Sequence, residues 1–236
     1  MQNALLALTM TAAGLGFVHT LLGPDHYLPF IAMSRARNWS PARTAVVTAL
    51  CGIGHVGSSV LLGTVGIALG LAVAGLEAVE SLRGDLAAWG LIAFGLVYLV
   101  WGLRRAWRGR THEHGHEHHD AASHAHEHDH GGEHAHVHDG ASAKSLTPWV
   151  LFTIFVFGPC EPLIPVLMYP AATSSVWGVI LVAATFSIVT IGTMLGVVLL
   201  AVSGVRWVAI GSLARYGHAL AGAVVLACGI AVKLGL

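Results

Sequence analysis

Charge is what this sequence has least of. Only 10% of its 236 residues are Asp, Glu, Lys or Arg, whereas a soluble domain carries about 25%. Acidic and basic residues cancel to a formal net charge of zero. That excludes the electrostatic footprint of a nucleic-acid-binding protein. Cysteine is scarcer still. Cys51, Cys160 and Cys228 are widely spaced, form no CxxC pair and lie in apolar stretches, so neither a disulfide framework nor a zinc ribbon is indicated. No Lys or Arg precedes the first apolar run, MQNALLALTM. The n-region of a cleavable signal peptide is missing, and the first helix is expected to stay in the mature protein.

What remains is apolar: 55% hydrophobic residues and a mean hydropathy of +0.71. A membrane-spanning helix needs about 20 mostly apolar residues. Six stretches qualify, at 4–32, 44–74, 86–107, 148–170, 175–202 and 216–235. The first two are long enough to tilt or to contain a break. Ten of the twelve basic residues fall in the loops after spans one, three and five, leaving only Arg83 and Lys233 for the other side. The positive-inside rule therefore predicts a multi-pass protein of the cytoplasmic (inner) membrane with both termini outside.

The loop between spans three and four is built on histidine. His112, His114, His116, His118, His119, His124, His126, His128, His130, His134, His136 and His138 all lie in it, mostly alternating, with Glu and Asp between them. With almost no apolar residues the segment cannot bury a core, and disorder is expected. Ordinary imidazoles, with a pKa near 6.5, are mostly neutral at cytoplasmic pH and offer a lone pair to transition metals. The loop is thus expected to buffer, sense or deliver metal. The division that follows is 1–107, a first three-span half; 108–147, the loop; and 148–236, a second half.

Titratable groups inside a span are costly and mark function. Span one carries His19, Asp25 and His26, span two His55, and span four Glu161. On a straight helix His19 and His26 would stand about 10 Å apart, given a rise of 1.5 Å per residue. Gly23-Pro24 interrupts the helix between them and can turn Asp25 and His26 toward His19. Cys51 and His55 share a helix face. Span four reads Gly158-Pro-Cys-Glu-Pro-Leu-Ile-Pro165, and such irregular backbone is tolerated only against protein or a cavity.

The two broken segments match. Gly23-Pro24-Asp25-His26 aligns with Gly158-Pro159-Cys160-Glu161, and Gly95 and Gly102 of span three with Gly222 and Gly229 of span six. The expected fold is all-α, with six transmembrane helices as two inverted three-helix repeats and breaks in spans one and four. Such repeats place a site near the midplane. Here it would join His19, Asp25, His26, His55, Cys160 and Glu161 as a metal site.

On His19-TLLGP-Asp25-His26, Gly52-Ile-Gly54-His55, the histidine loop and Gly158-Pro-Cys-Glu161, the chain resembles the nickel/cobalt transporter superfamily. It is most similar there to urease-accessory-type nickel permeases and to efflux proteins with histidine loops. In those permeases a His, an Asp and a His on one early helix carry the metal, a role the resemblance gives to His19, Asp25 and His26. The first His here stands seven residues before the second rather than six, and an Asp between them is missing. The resemblance implies a secondary transporter of Ni2+ or Co2+, not an enzyme, with no permanent cofactor. Its partners would be the bilayer and urease or hydrogenase maturation proteins.

Two other readings stand beside it. Pro159-Cys160 within a proline-rich break also resembles the cytochrome-c-biogenesis transmembrane redox family. That chemistry needs two cysteines able to meet, Cys51 being the candidate partner. A thiol–disulfide electron carrier would follow, although that family places its pair on spans one and four, and span one here has no Cys. The third reading is a metal sensor or chaperone that does not transport.

Overall fold

The computed structural model describes residues 2–70, 72–108, 112–116, 124–128, 146–173, 175–205 and 215–235. Helices dominate: α1 (Gln2–Leu22), α2 (Leu28–Ala36), α3 (Pro41–Ala68), α4 (Val73–Arg108), α5 (Leu146–Val156), α6 (Leu163–Ala172), α7 (Val176–Val205) and α8 (Gly217–Lys233). A single 3-10 turn, Pro24–His26, separates α1 from α2. Among the described residues, four helices are long and apolar enough to cross a membrane: Asn3–Leu22 within α1, α3, α4, and Val176–Gly204 within α7. The other apolar helices, α5, α6 and α8, are shorter. Trp89, Val97, Trp177, Ile188 and Leu200 are each more than half exposed, an apolar coat that suits lipid rather than water.

One boundary differs from the sequence expectation. The third span, expected to begin near residue 86, belongs to a helix that starts at Val73. Its first turns carry Glu77, Glu80, Arg83 and Asp85, which lowered the hydropathy of any window covering them. Glu80 is nonetheless fully buried.

Of the histidine-rich segment, the described residues form two short antiparallel strands, β1 (His112–His116) and β2 (His124–His128), where no regular structure was expected. The period-two alternation that suits metal binding also suits a strand. The register sets His112, His114 and His116 opposite His128, His126 and His124. His118, His119, His130, His134, His136 and His138 lie outside the described residues.

Small residues let the helices touch. Gly16 of α1 meets Thr190 and Phe186 of α7, and Gly52 of α3 meets Ile191 and Met194 of the same helix. Gly54 of α3 meets Phe152 and Val156 of α5. The α4–α8 pair is the tightest. Ile92, Gly95, Leu99 and Gly102 face Gly229, Leu226, Gly222 and Ala219 in turn. The order runs backward along α8, so the two helices are antiparallel. A Cβ at any of these four glycines would overlap main-chain atoms of the other helix, the requirement that small-residue motifs meet in membrane helices. Gly222→Leu is therefore expected to part α4 from α8 and to abolish the monodisperse peak in size-exclusion chromatography in detergent. Gly14→Leu, at a position with nothing within 4 Å, should keep it. Equal behaviour of the two variants would contradict this packing.

Candidate functional site

The site is made where two helices break. Gly23 leaves helical geometry, with φ −87° and ψ 94°, and Pro24 has no N–H to continue the ladder. The chain makes one 3-10 turn, with His26 N–H donating to the Gly23 carbonyl at 3.0 Å. The His26 ring folds back, so that Nδ1 lies 3.1 Å from that same carbonyl and 3.2 Å from Asp25 Oδ1. A Cβ on Gly23 would stand 2.5 Å from His26 Nδ1, so the turn and the ring position together demand glycine. His19 and His26 now have ring centroids 4.7 Å apart, less than half the straight-helix separation.

The second break follows Val156. Phe157 and Gly158 close the end of α5 by donating to the carbonyls of Ile154 and Phe155, and α6 resumes at Leu163. Gly158 has the counterpart role of Gly23: a Cβ there would lie 2.5 Å from His55 Nδ1. Each glycine–proline step thus makes room for one imidazole.

A broken helix at membrane depth leaves main-chain groups without partners, which is expensive. Two residues of α4 supply them. Arg83 Nη2 donates to the Val156 carbonyl at 2.7 Å and also to Ser58 Oγ. Glu80 Oε2 accepts from the Cys160 N–H at 3.2 Å. Glu80 and Arg83 pair with each other one turn apart. Neither was foreseen as part of the site. The usable signal was the Glu80-x-x-Arg83 spacing, which puts opposite charges on one helix face.

At the centre, four side chains from three segments meet. His26 Nε2 lies 3.3 Å from His55 Nε2. Cys160 Sγ lies 3.2 Å from His55 Nε2 and 3.9 Å from His19 Nε2. The rings of His19 and His55 are nearly parallel at 6.4 Å, and that of His26 stands close to perpendicular to both. One nitrogen from each of His19, His26 and His55 falls within 4.8 Å of the others. His26, His55 and Cys160 are buried. A cavity of about 420 Å³, lined by His19, Asp25, His26, Pro159, Glu161 and Val232 among others, reaches the cluster from one side.

The remaining expected residues sort clearly. Asp25 touches the cluster only through His26. Glu161 is exposed and stands in the cavity wall, whereas its neighbour Cys160 turns inward. Cys51 packs with Phe30, Met33, Phe155 and Met194, while Cys160 packs with Val56, Leu163 and Phe186. All three cysteines are free thiols. His218 bonds to Tyr98 Oη at 2.9 Å in a separate network with Arg37.

Chemically, the arrangement offers a buried thiol beside an imidazole that can take its proton, and three imidazoles able to hold a metal ion. No curated protein matches the chain, and no solved structure does. One protein family matches it, over residues 28–231, more than four-fifths of its length. This corrects the resemblance to the nickel/cobalt transporter superfamily, and with it the reading as a nickel or cobalt permease. His19, Asp25 and His26 converge because Gly23-Pro24 breaks the helix, and a break of that kind does not specify cargo. The match agrees instead with the resemblance resting on Pro159-Cys160: the chain belongs to the family of the cytochrome c biogenesis protein transmembrane region.

Proposed function

We propose that the protein carries reducing equivalents across the cytoplasmic membrane by thiol–disulfide exchange, with Cys160 as the reacting thiol and Cys51 as its partner. Family membership supports this together with one observation that carries it: Cys160 is held on the broken segment with its Sγ 3.2 Å from His55 Nε2. Cys51 lies one helical turn before His55 on the same face of α3. Oxidation of the pair forms the S–S bond and releases two protons and two electrons to an acceptor disulfide. A donor dithiol restores both thiols. His55 Nε2 takes the Cys160 proton as the sulfur attacks.

The two sulfurs sit in separate apolar clusters, and a disulfide needs Cα atoms within about 7 Å. Exchange therefore requires the segment between Val156 and Leu163 to shift along α3. It has no helical ladder, so what the shift must chiefly break is the Glu80 contact to the Cys160 N–H.

The frame for this is six spans in two inverted halves, with α5 and α6 together as one span and both termini outside. The antiparallel, glycine-matched packing of α4 on α8 supports the inverted relation, as do the paired breaks at Gly23-Pro24 and Gly158-Pro159. The test is reconstitution in sealed vesicles with a dithiol reductant on one side and a disulfide acceptor on the other. Acceptor reduction across the membrane is expected with the protein and not without it. Equal reduction in protein-free vesicles would overturn the reading.

A further inference from the structure

We infer that His19, His26 and His55, with Cys160 Sγ at their side, form a site in the membrane core for one zinc-class divalent ion, bound reversibly and not as cargo. Zinc binds nitrogen at about 2.0–2.1 Å and sulfur at about 2.3 Å. The edges of such a tetrahedron are then about 3.3 Å between nitrogens and about 3.5 Å between nitrogen and sulfur. The contacts here are 3.3 Å for His26 to His55, and 3.2 and 3.9 Å for Cys160 to His55 and His19. His26, His55 and Cys160 already stand near ligand spacing, and the His19 nitrogen, in a set that spans up to 4.8 Å, has to move inward to complete it.

Proton positions point the same way. His26 Nδ1 faces two oxygens, the Gly23 carbonyl and Asp25 Oδ1; in the neutral ring it carries the proton, which leaves Nε2 as a lone pair. This is the carboxylate–histidine arrangement that orients metal ligands. His55 Nε2 faces that lone pair. Its buried Nδ1 lies toward the Phe155 carbonyl but makes no hydrogen bond of full geometry. If Nε2 carries the proton, a buried Nδ1 lone pair is left unmatched. If Nδ1 carries it, two lone pairs meet at 3.3 Å. A cation held by both Nε2 lone pairs relieves the second case and leaves the His55 proton on Nδ1, on the side of the Phe155 carbonyl.

Binding converts Cys160 from thiol to thiolate. The proton leaves toward the cavity, whose wall includes the carboxylates of Asp25 and Glu161. A metal-bound thiolate is withheld from disulfide exchange, so occupancy would switch the carrier off. That consequence rests on the function proposed above; the site itself does not.

The test uses the full-length protein in detergent with Co2+ as the probe. A tetrahedral cobalt bound to sulfur gives a sulfur-to-cobalt charge-transfer band in the near ultraviolet. The histidine-rich segment cannot produce it, because residues 111–140 contain no cysteine. The band is expected in the intact protein, in Cys51→Ser and in Cys228→Ser. It should vanish in Cys160→Ser and weaken at least tenfold in His55→Ala, with both variants monodisperse. No band in the intact protein, or a band persisting in Cys160→Ser, would overturn the site. Loss of vesicle electron transfer with the band intact would overturn only the function.

Discussion

Cys160→Ser is expected to bring transmembrane electron transfer down to the protein-free level. Serine keeps the volume and the Glu80 contact to the main chain, since that bond uses the N–H, so folding should survive. What it removes is the sulfur 3.2 Å from His55 Nε2. A hydroxyl cannot form the disulfide that accepts the electron pair, nor the dithiol that carries it onward. Cys51→Ser should do the same for the opposite reason: Cys160 could form a mixed disulfide but could not resolve it. Cys228, whose sulfur rests 4.0 Å from the Pro24 carbonyl, has no place in the exchange, and Cys228→Ser should transfer normally. Transfer at the wild-type rate in both Cys160→Ser and Cys51→Ser would remove cysteine chemistry from the account.

The second large effect falls on stability. Arg83→Ala leaves Glu80 buried without its counter-charge and frees the Val156 carbonyl and Ser58 Oγ of a donor. Removing one partner of a buried ion pair costs about 3–5 kcal/mol. Arg83 retains some exposure, 13%, which places the expected loss at the low end of that range. Glu80→Ala should cost at least as much, because it strips the Cys160 N–H of its acceptor as well. The double variant Glu80→Leu/Arg83→Leu should recover part of the loss, since no lone charge remains. Thermal unfolding in detergent measures all three. Single variants as stable as the parent would show that the pair does not hold the break together.

How much of this was legible in the sequence depends on what reported it. The breaks were legible because proline and glycine act locally: Gly23-Pro24 and Gly158-Pro159 interrupt a helix whatever surrounds them. The convergence of His19, His26 and His55 was legible because a titratable group in an apolar span needs partners, and few were on offer. The roles of Cys160 and Glu161 were not. On irregular backbone there is no period to say which of two neighbours points inward, and here the thiol does. Glu80 and Arg83 were missed because their charge pushed the predicted span boundary past them, although their mutual pairing is what lets α4 carry them into the interior.

The family was misjudged for a related reason. A Gly-Pro-Asp-His turn in a membrane helix reports a folded-back histidine, and that turn, together with Gly52-Ile-Gly54-His55, the histidine loop and Gly158-Pro-Cys-Glu161, reads as a likeness to a permease. The seven-residue spacing from His19 to His26 and the missing acidic residue between them were the marks that departed from a permease. The resemblance resting on Pro159-Cys160, a shorter and less conspicuous motif, is the one that agrees with the family match. The histidine-rich segment says nothing against this, because metal near a membrane thiol is as much a threat to its chemistry as a cargo.

The most direct measurement is the redox state of Cys51 and Cys160 in native membranes, read by differential alkylation and mass spectrometry after oxidant and after reductant. The account predicts a Cys51–Cys160 bond in the oxidised sample that disappears on reduction, with Cys228 alkylated in both. Free thiols at Cys51 and Cys160 under both conditions would contradict it.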